Sequence, residues 1–490
     1  MSPNLILTAF LTYTVLLFCI SWITSRKANN ETFFIGNKVS PWYVVAYGMI
    51  GASLSGVTFI SIPGWVGETQ FSYMLVVFGY FFGYILISTV LLPVYYKLNL
   101  TSIYRYLDKR FGFFSYKTGA FYFLLSRIIG ASFRMFLVVN VLQMFVFDQW
   151  DIPFWITVTI FIILIILYTF KGGIKTIVWT DTLQTTFMLV AVFLSIYIII
   201  NHLGTNFSAL TKEVIDSNYS NLFFSDWNDR RFFLKQFLSG IFIAVVMTGL
   251  DQDMMQKNLS CRNLKDAQKN VVSLGFILIF VNLLFLFLGA ILFIYSAQKG
   301  IEIPKTTDDL FPLIALKYLG PFAGIVFIIG LISAAYSSAD SALTALTTSF
   351  SIDFLNINRR KDLSEKRKTN IRYIVHICIA IVLLFVIIFY RLINDKAIID
   401  KLFTIAGYTY GPLLGLFAFG LFTKFSIRDK FVPVIAVLSP VICYILSSNS
   451  EQWFNGYKFG FELLILNGLI TFIGLLIISK SKNTDADHRR

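Results

Sequence analysis

Histidine and cysteine are scarce in this chain, with three and four copies among 490 residues. The cysteines are scattered, three of them in apolar segments, and they lack the spacing of a metal site or a disulfide framework. The histidines are isolated from one another, and no nucleotide-binding loop, nucleophile elbow or kinase signature occurs. These absences argue against an enzyme.

Charged residues are also few, at 14%, whereas 57% of the residues are hydrophobic and the mean hydropathy is +0.72. Such a composition predicts an all-α integral membrane protein. The net charge of +14 could suggest a nucleic-acid partner. However, most lysines and arginines fall in alternate loops, as the positive-inside rule describes. We therefore expect a lipid bilayer and a small-molecule solute as partners, and no nucleic acid.

About thirteen segments are long and apolar enough to cross a bilayer as helices of roughly 20 residues. The first is too long for a signal peptide and lacks a basic start and a cleavage site, so we expect it to be retained. The predicted segments are 5–25, 42–64, 72–98, 118–147, 152–170, 177–202, 233–251, 271–298, 312–350, 371–391, 401–422, 431–448 and 460–479.

The strongly basic loops follow odd-numbered segments. One carries Lys257, Arg262, Lys265 and Lys269, and the densest runs over 359–368. Most alternate loops are sparse or acidic, and the loop 391–401 is the exception. This pattern predicts a cell-membrane protein with its N-terminus outside and a cytoplasmic tail at 480–490.

The ten segments between 42 and 422 divide into halves, 42–202 and 233–422. Each half opens on a segment interrupted by glycine, at Gly48 and Gly51 in the first and at Gly240 and Gly249 in the second. Paired interruptions of this kind are typical of inverted-repeat transporters with a midplane site. Ordinary glycine packing between membrane helices is the alternative. The segment 5–25 precedes this core, and 431–479 would add two helices after it.

Three serines and one aspartate interrupt the apolar segment at 334–343. On a helix, Ala334, Ser337, Ser338 and Ser341 share one face. Asp340 lies beside them, and an acid within the membrane is by default a coupling residue. The face offers oxygen ligands to a small hard cation and looks like half of a sodium site. Gly51–Thr58 could supply the other half by unwinding and exposing carbonyls, although a contact of small residues would explain it equally.

Arg127 and Arg134 are seven residues apart in one apolar segment and therefore lie on nearly one face. A buried arginine is expensive unless it is paired. The planar fork of Arg134 suits the carboxylate of a substrate. Alternatively, either arginine neutralises Asp340 or Asp181.

Several loose motifs in order resemble the solute:sodium symporter family, which includes sodium-coupled sugar, proline, iodide, pantothenate and sialic acid carriers. The resemblance runs from about 5 to 480. It implies the fold of the bacterial leucine transporter, with a five-plus-five inverted repeat. The motifs are Gly51–Thr58 with 59–64, 168–173 leading to 179–181, Asp251-Gln252 with Gln256-Lys257, 334–343 and 407–422.

The resemblance also implies site residues. The shared sodium would bind the carbonyls of Gly51, Leu54 and Ala334 and the hydroxyls of Ser337 and Ser338. A second sodium would lie at Asp181, Asp340 and Ser341, near Ser337. Sialic acid carriers have a hydroxyl at the Asp340 position, so the sodium count stays open. The substrate contacts, again like the sialic acid carriers, would be Ser53, Ser55, Thr58 and Arg134.

We therefore expect a secondary active transporter, working as a monomer, that couples sodium entry to the uptake of a small polar organic solute. An organic anion such as sialic acid is favoured as substrate. A sugar is the alternative substrate, and a membrane sensor with the same fold is the alternative function.

Overall fold

The computed structural model describes residues 2–24, 33–34, 40–170, 173–360, 362–392 and 398–480. Lys361 of the basic loop and the predicted tail from residue 481 onward lie outside the described residues. The helices are α1 Pro3–Thr24, α2 Trp42–Ser53, α3 Gly56–Thr69, α4 Tyr73–Leu86, α5 Leu92–Lys97, α6 Arg105–Arg110, α7 Phe113–Phe145, α8 Phe154–Thr169, α9 Gly173–Leu203, α10 Phe207–Asp216, α11 Phe233–Ala244, α12 Gln252–Leu259, α13 Leu264–Lys299, α14 Leu310–Leu313, α15 Gly320–Ser349, α16 Glu365–Arg391, α17 Ile398–Phe422, α18 Val432–Ser448, α19 Ser450–Trp453 and α20 Leu463–Ile477. Two short strands, β1 (Ser426–Ile427) and β2 (Ser479–Lys480), pair antiparallel.

The predicted spans agree with these helices. Within the described ranges, nine helices are long and apolar enough to cross a membrane, two bent helix pairs can each form one further span, and α8 and α20 are shorter apolar helices. Together they match the thirteen predicted segments. The ninth predicted segment, 312–350, differs from the structure at its start. Short helical pieces, α14 among them, occupy 307–318, and the long helix α15 begins only at Gly320, which has φ +87°.

Two spans are broken, one shortly after Gly51 and the other directly after Gly249. α2 and α3 meet at an angle of 53° around Leu54 and Ser55. α11 continues through a π-helical turn at Val245–Gly249 and then bends by 65° into α12. A helix end leaves backbone groups without helical partners, and a membrane protein tolerates this only where protein or a cavity surrounds them. The two breaks are therefore where polar groups can gather. The residue boundaries of the two repeats, 42–202 and 233–422, stay predictions.

α15 is the central helix. Every residue from Gly330 to Ser349 on it is buried. It packs against helices from both halves of the chain, including α2, α3, α7, α9, α12 and α16. Its many alanines, serines and threonines allow this, since small side chains let neighbouring backbones approach closely.

The prediction that Lys257 lies in a basic loop is wrong. Arg262, Lys265 and Lys269 are exposed, but Lys257 lies within α12 and is only 1% exposed. All eight residues of α12 are buried. A hydropathy pattern cannot find such a short polar helix, because its burial comes from the surrounding helices and not from its own apolar residues.

The close approach of α4 to α11 requires glycine. A Cβ atom on Gly240 would lie 2.1 Å from the carbonyl oxygen of Val76, and one on Gly79 would lie 2.2 Å from that of Phe237.

We expect Gly240→Ala to lower the free energy of unfolding by about 1–3 kcal/mol through overpacking. Gly130→Ala is the matched control, because its Cβ would meet only Leu402 Cδ1, at 3.5 Å. Thermal unfolding of the purified variants in detergent measures both, and equal midpoints would contradict the prediction.

Candidate functional site

The break between α2 and α3 contains two of the predicted sodium ligands. Leu54 has φ −88° and ψ 55°, and it separates the two helices. Gly51 faces α9, where its N–H donates to Thr185 Oγ1 at 3.0 Å and an added Cβ would lie 2.4 Å from that oxygen. Because the last carbonyls of a helix lack helical partners, the backbone oxygens of Gly51 and Leu54 are candidates for ligating an ion.

The other three predicted ligands lie on α15, which packs against α2. Ser338 Oγ donates to the Ala334 carbonyl at 3.0 Å, so these two oxygens are close enough to share one ion. Ser337 Oγ donates to Asp181 Oδ1 at 2.7 Å. All three residues are at most 1% exposed. Carbonyl and hydroxyl oxygens are the ligands that hard cations take, so the chemistry of these oxygens fits a sodium ion.

The two acids assigned to a second sodium have separate partners. Asp181 Oδ2 accepts a hydrogen bond from Lys257 Nζ at 2.5 Å, in an ion pair that is almost fully buried. Asp340 Oδ2 accepts from the Tyr168 hydroxyl at 2.6 Å, and the N–H of Ser341 donates to Asp340 Oδ1. The Ser341 hydroxyl has no partner within the described part of the chain.

Arg127 contacts the acidic residues at the second break, where α12 begins. Its guanidinium pairs with Asp253, and its Nη1 lies 3.8 Å from Asp251 Oδ2. Asp251 caps α12 by accepting from the N–H of Asp253 at 2.9 Å, and it accepts from the Tyr410 hydroxyl at 2.6 Å. These bonds join α7, α12 and α17. Asp181 and Asp340 are therefore not the partners of Arg127.

All four predicted substrate contacts line one central cavity of about 90 Å³. Arg134 is buried there and forms no ion pair with any described residue. Arg127 also lines this cavity, but its charge is already neutralised by Asp251 and Asp253. The predicted contacts brought together in this lining are Ser53, Ser55, Thr58 and Arg134.

Sequence reasoning missed several polar residues of the same lining. They come from α4, α11 with its π turn, and α13, which converge on the cavity: Tyr73, Tyr80, Tyr84, Thr248 and Asn282. Asn282 could have been found, since it interrupts a long apolar run. The tyrosines could not, because aromatic side chains in membrane helices are more often packing residues.

A larger cavity of about 530 Å³ lies beside the central one. Tyr73 and Phe403 line both cavities, with their ring centroids 6.2 Å apart. Phe403 packs on Phe461 at 4.8 Å, and Trp65 lies 6.0 Å from Phe461. This aromatic partition separates the two cavities. The larger cavity is lined by charged residues of the loops that were predicted to lie outside, among them Glu68, Asp226 and Asp229.

Comparison with known proteins agrees with this architecture. The family model described as the sodium:solute symporter family matches residues 33–426 of the chain. The chain belongs to the sodium:solute symporter family. As a sodium:solute symporter it is a multi-pass membrane protein, a sodium-coupled secondary transporter of a small solute, and not an enzyme.

Individual relatives are distant. The sodium/sialic acid symporter NanT of Aliivibrio fischeri is 24% identical over 459 residues, covering 91% of this chain and 88% of NanT. SiaT of Proteus mirabilis is 22% identical, covering 92% of this chain and 91% of SiaT. Sodium-coupled monocarboxylate transporter 1 of Mus musculus is 26% identical over 417 residues, covering 82% of this chain and 65% of that transporter.

Solved structures support the same fold. A Na⁺-coupled sialic acid symporter in a substrate-bound outward-open state aligns with a TM-score of 0.82 at 20% identity, covering 97% of this chain and 99% of that one. The nucleobase-cation-symport-1 transporter Mhp1 in a closed conformation aligns with a TM-score of 0.58 at 14% identity, covering 92% and 94%. At such identities the likeness shows the fold alone, and it confirms the predicted leucine-transporter-type architecture of this symporter.

The two buried arginines of α7 should respond differently to substitution. Arg127→Gln leaves Asp251 and Asp253 buried without their cation, so we expect a loss of about 3–5 kcal/mol in the free energy of unfolding. Arg134→Gln removes a charge that has no acidic partner, so the stability should be kept and substrate binding should be lost. Thermal unfolding and substrate binding of both purified variants measure these effects. Equal destabilisation by the two substitutions would contradict the assignment.

Proposed function

We propose that this symporter takes up an organic anion, a carboxylate such as sialic acid, together with sodium. The proposal rests on the position of Arg134. Its guanidinium is buried in the central cavity without an acidic partner. A charge in that position is costly unless an anion neutralises it. The carboxylate of a substrate would supply the anion through two parallel hydrogen bonds.

The relatives favour the same class of substrate. NanT and SiaT are named as sialic acid symporters, and the mouse relative is named as a monocarboxylate transporter. Both kinds of substrate carry a carboxylate. The hydroxyls of Ser53, Ser55 and Thr58 around Arg134 would bind the remaining polar groups. A neutral sugar, the alternative substrate, would leave Arg134 without a counter-charge.

Sodium would act at the break between α2 and α3. An ion held by Gly51, Leu54, Ala334, Ser337 and Ser338 bridges the broken helix and α15. By doing so it stabilises the conformation in which Ser53 and Ser55 face the substrate. Coupling then follows if sodium binds that conformation more tightly than the alternatives. This proposal requires only that one sodium; the second sodium that the sequence predicted at Asp181, Asp340 and Ser341 is not part of it.

The aromatic partition would serve as the outer gate. With the N-terminus outside the plasma membrane and the basic loops in the cytoplasm, as the charge pattern predicts, the 530 Å³ cavity would open to the exterior. Solute would enter there and pass Tyr73 and Phe403 to reach Arg134. Rocking of the two halves would then open the cavity to the cytoplasm, within a single chain acting as a monomer.

Uptake into proteoliposomes tests the substrate. Purified protein is reconstituted, an inward sodium gradient is imposed, and uptake of labelled sialic acid is compared with that of lactate and glucose, with potassium replacing sodium as control. Sodium-dependent uptake of a carboxylate, lost in Arg134→Gln, is the expected result. Uptake of glucose alone, or uptake that Arg134→Gln leaves unchanged, would refute the proposed anion.

The Ser338 hydroxyl tests the sodium site. We expect Ser338→Ala to raise the sodium concentration for half-maximal uptake about tenfold, since a lost polar ligand is worth about 1.5 kcal/mol. Ser195→Ala is the matched control, because Ser195 Oγ also bonds to its own helix, donating to the Ala191 carbonyl at 2.7 Å, and it is also buried. Unchanged sodium activation in Ser338→Ala would remove Ser338 from the site.

The outer gate can be tested by labelling. Thr58→Cys, in a chain whose four native cysteines are replaced, reports access to the central cavity for an impermeant thiol reagent added outside. We expect Phe403→Ala to speed this labelling several-fold. Phe459→Ala should not, because Phe459 lines only the larger cavity. Equal labelling rates in the two variants would show that Phe403 does not close the path.

A further inference from the structure

Both carboxylate oxygens of Asp181 are occupied by protein groups. Oδ1 accepts from the Ser337 hydroxyl at 2.7 Å, and Oδ2 accepts from the ammonium of Lys257 at 2.5 Å. Asp181 is fully buried in α9. An acid at such a position requires a neutralising partner, and the chain supplies one from its own sequence.

Lys257 is held where it cannot reach solvent. Its side chain is 1% exposed, and it lies in α12, just beyond the second break. Within the described part of the chain, the hydrogen bond to Asp181 is the one that its ammonium makes. The lysine and the aspartate are therefore fixed to each other, and α12 is fixed to α9.

A sodium ion and a lysine ammonium carry the same charge and are both attracted to a carboxylate. A sodium bound to Asp181 would come close to the Lys257 ammonium, and two like charges repel strongly in a low-dielectric interior. The two cations therefore compete for one acid. Asp340, the other predicted acid of the second site, is bonded to Tyr168 and to the backbone of Ser341.

We propose that the ammonium of Lys257 takes the place of a second sodium, so that this symporter couples one sodium ion to each substrate. The expected number of bound sodium ions does not depend on the proposed function, whereas the expected effect of the membrane potential on uptake does. One sodium carried with one monovalent carboxylate moves no net charge, so uptake should not depend on the membrane potential. A second sodium would add one positive charge per cycle, and a potential of 100 mV would then change the equilibrium accumulation by roughly 50-fold.

The number of bound sodium ions can be counted without a substrate. Saturation binding of ²²Na⁺ to the purified full chain in detergent should give one ion per chain. In Lys257→Met, which frees Asp181, we expect two. Lys257→Arg keeps the positive charge and should bind one. Two ions bound to the unsubstituted protein would overturn the proposal and would place an ion at Asp340 or Asp181 beside the lysine.

Should Lys257→Met fail to fold, the double variant Asp181→Asn with Lys257→Met removes both charges and should bind one ion. A count of two for the unsubstituted chain would overturn the proposal whether or not this variant folds. In proteoliposomes, uptake of the carboxylate should be unaffected when valinomycin and a potassium gradient set a negative interior. Faster uptake under that potential would overturn the one-to-one coupling.

The two proposals fail in different ways. One bound sodium without sodium-driven uptake of any carboxylate would reject the proposed substrate and leave the role of Lys257 standing. Sodium-driven uptake with two bound sodium ions would reject the role of Lys257 and leave the proposed function standing. No sodium bound at all would reject both.

Discussion

The burial of charge inside the membrane is the constraint on which the rest of this structure depends. Hydrocarbon cannot solvate an ion, so an intramembrane charge needs a partner that neutralises it. Arg127 with Asp251 and Asp253, and Lys257 with Asp181, satisfy this requirement. Losing one partner of such a pair costs about 3–5 kcal/mol, a large part of the 5–15 kcal/mol that stabilises a typical protein. The arrangement of α7, α9 and α12 is therefore set by charge pairing as much as by apolar packing.

The two broken helices gain their function from the same constraint. A break leaves backbone N–H and C=O groups without helical partners, and a membrane protein tolerates them only beside a cavity or a polar partner. Here the central cavity lies between the breaks, with Leu54 on one side and Met254 and Arg127 on the other. In the proposed mechanism, sodium at the first break and substrate in the cavity would therefore act on the same parts of the fold. Arg134 would carry the charge that the solute neutralises.

Much of this could be predicted from the sequence, because the bilayer imposes simple rules. The thickness of the hydrocarbon fixes the length of each span, and all thirteen segments were found on that basis. Gly51 and Gly249 indicated where the broken spans occur, whereas Gly48 and Gly240 lie within helices and serve close packing. Ser53, Ser55, Thr58 and Arg134 were grouped through the resemblance to the sialic acid carriers, and the cost of burying an unpaired arginine gave Arg134 an independent physical argument.

Other features depend on contacts between distant segments and left no local pattern. Lys257 was taken for a loop residue because α12 is short and polar, and only the helices around it make it a buried cation. The choice of Asp251 and Asp253 as partners of Arg127 likewise requires the bend of 65° before α12. The aromatic partition combines Tyr73 with Phe403, which are far apart in sequence and individually resemble ordinary packing residues.

A contiguous series of polar contacts and one short helix joins the predicted sodium ligands to the central cavity. A hydroxyl can donate its proton while its oxygen lone pair ligates an ion, so Ser337 can bind sodium and still hold Asp181. Asp181 holds Lys257 on α12, and the cap of α12, Asp251, lies against Arg127 in the wall of the cavity. The step from Lys257 to Asp251 is the helix α12 itself and the other links are buried polar contacts, so a shift of α15 on sodium release would strain each of them in turn. Coupling by this route requires that the links have two arrangements, one for each state of the cavity. Within this series, α9 and α12 are connected by the ion pair of Asp181 and Lys257.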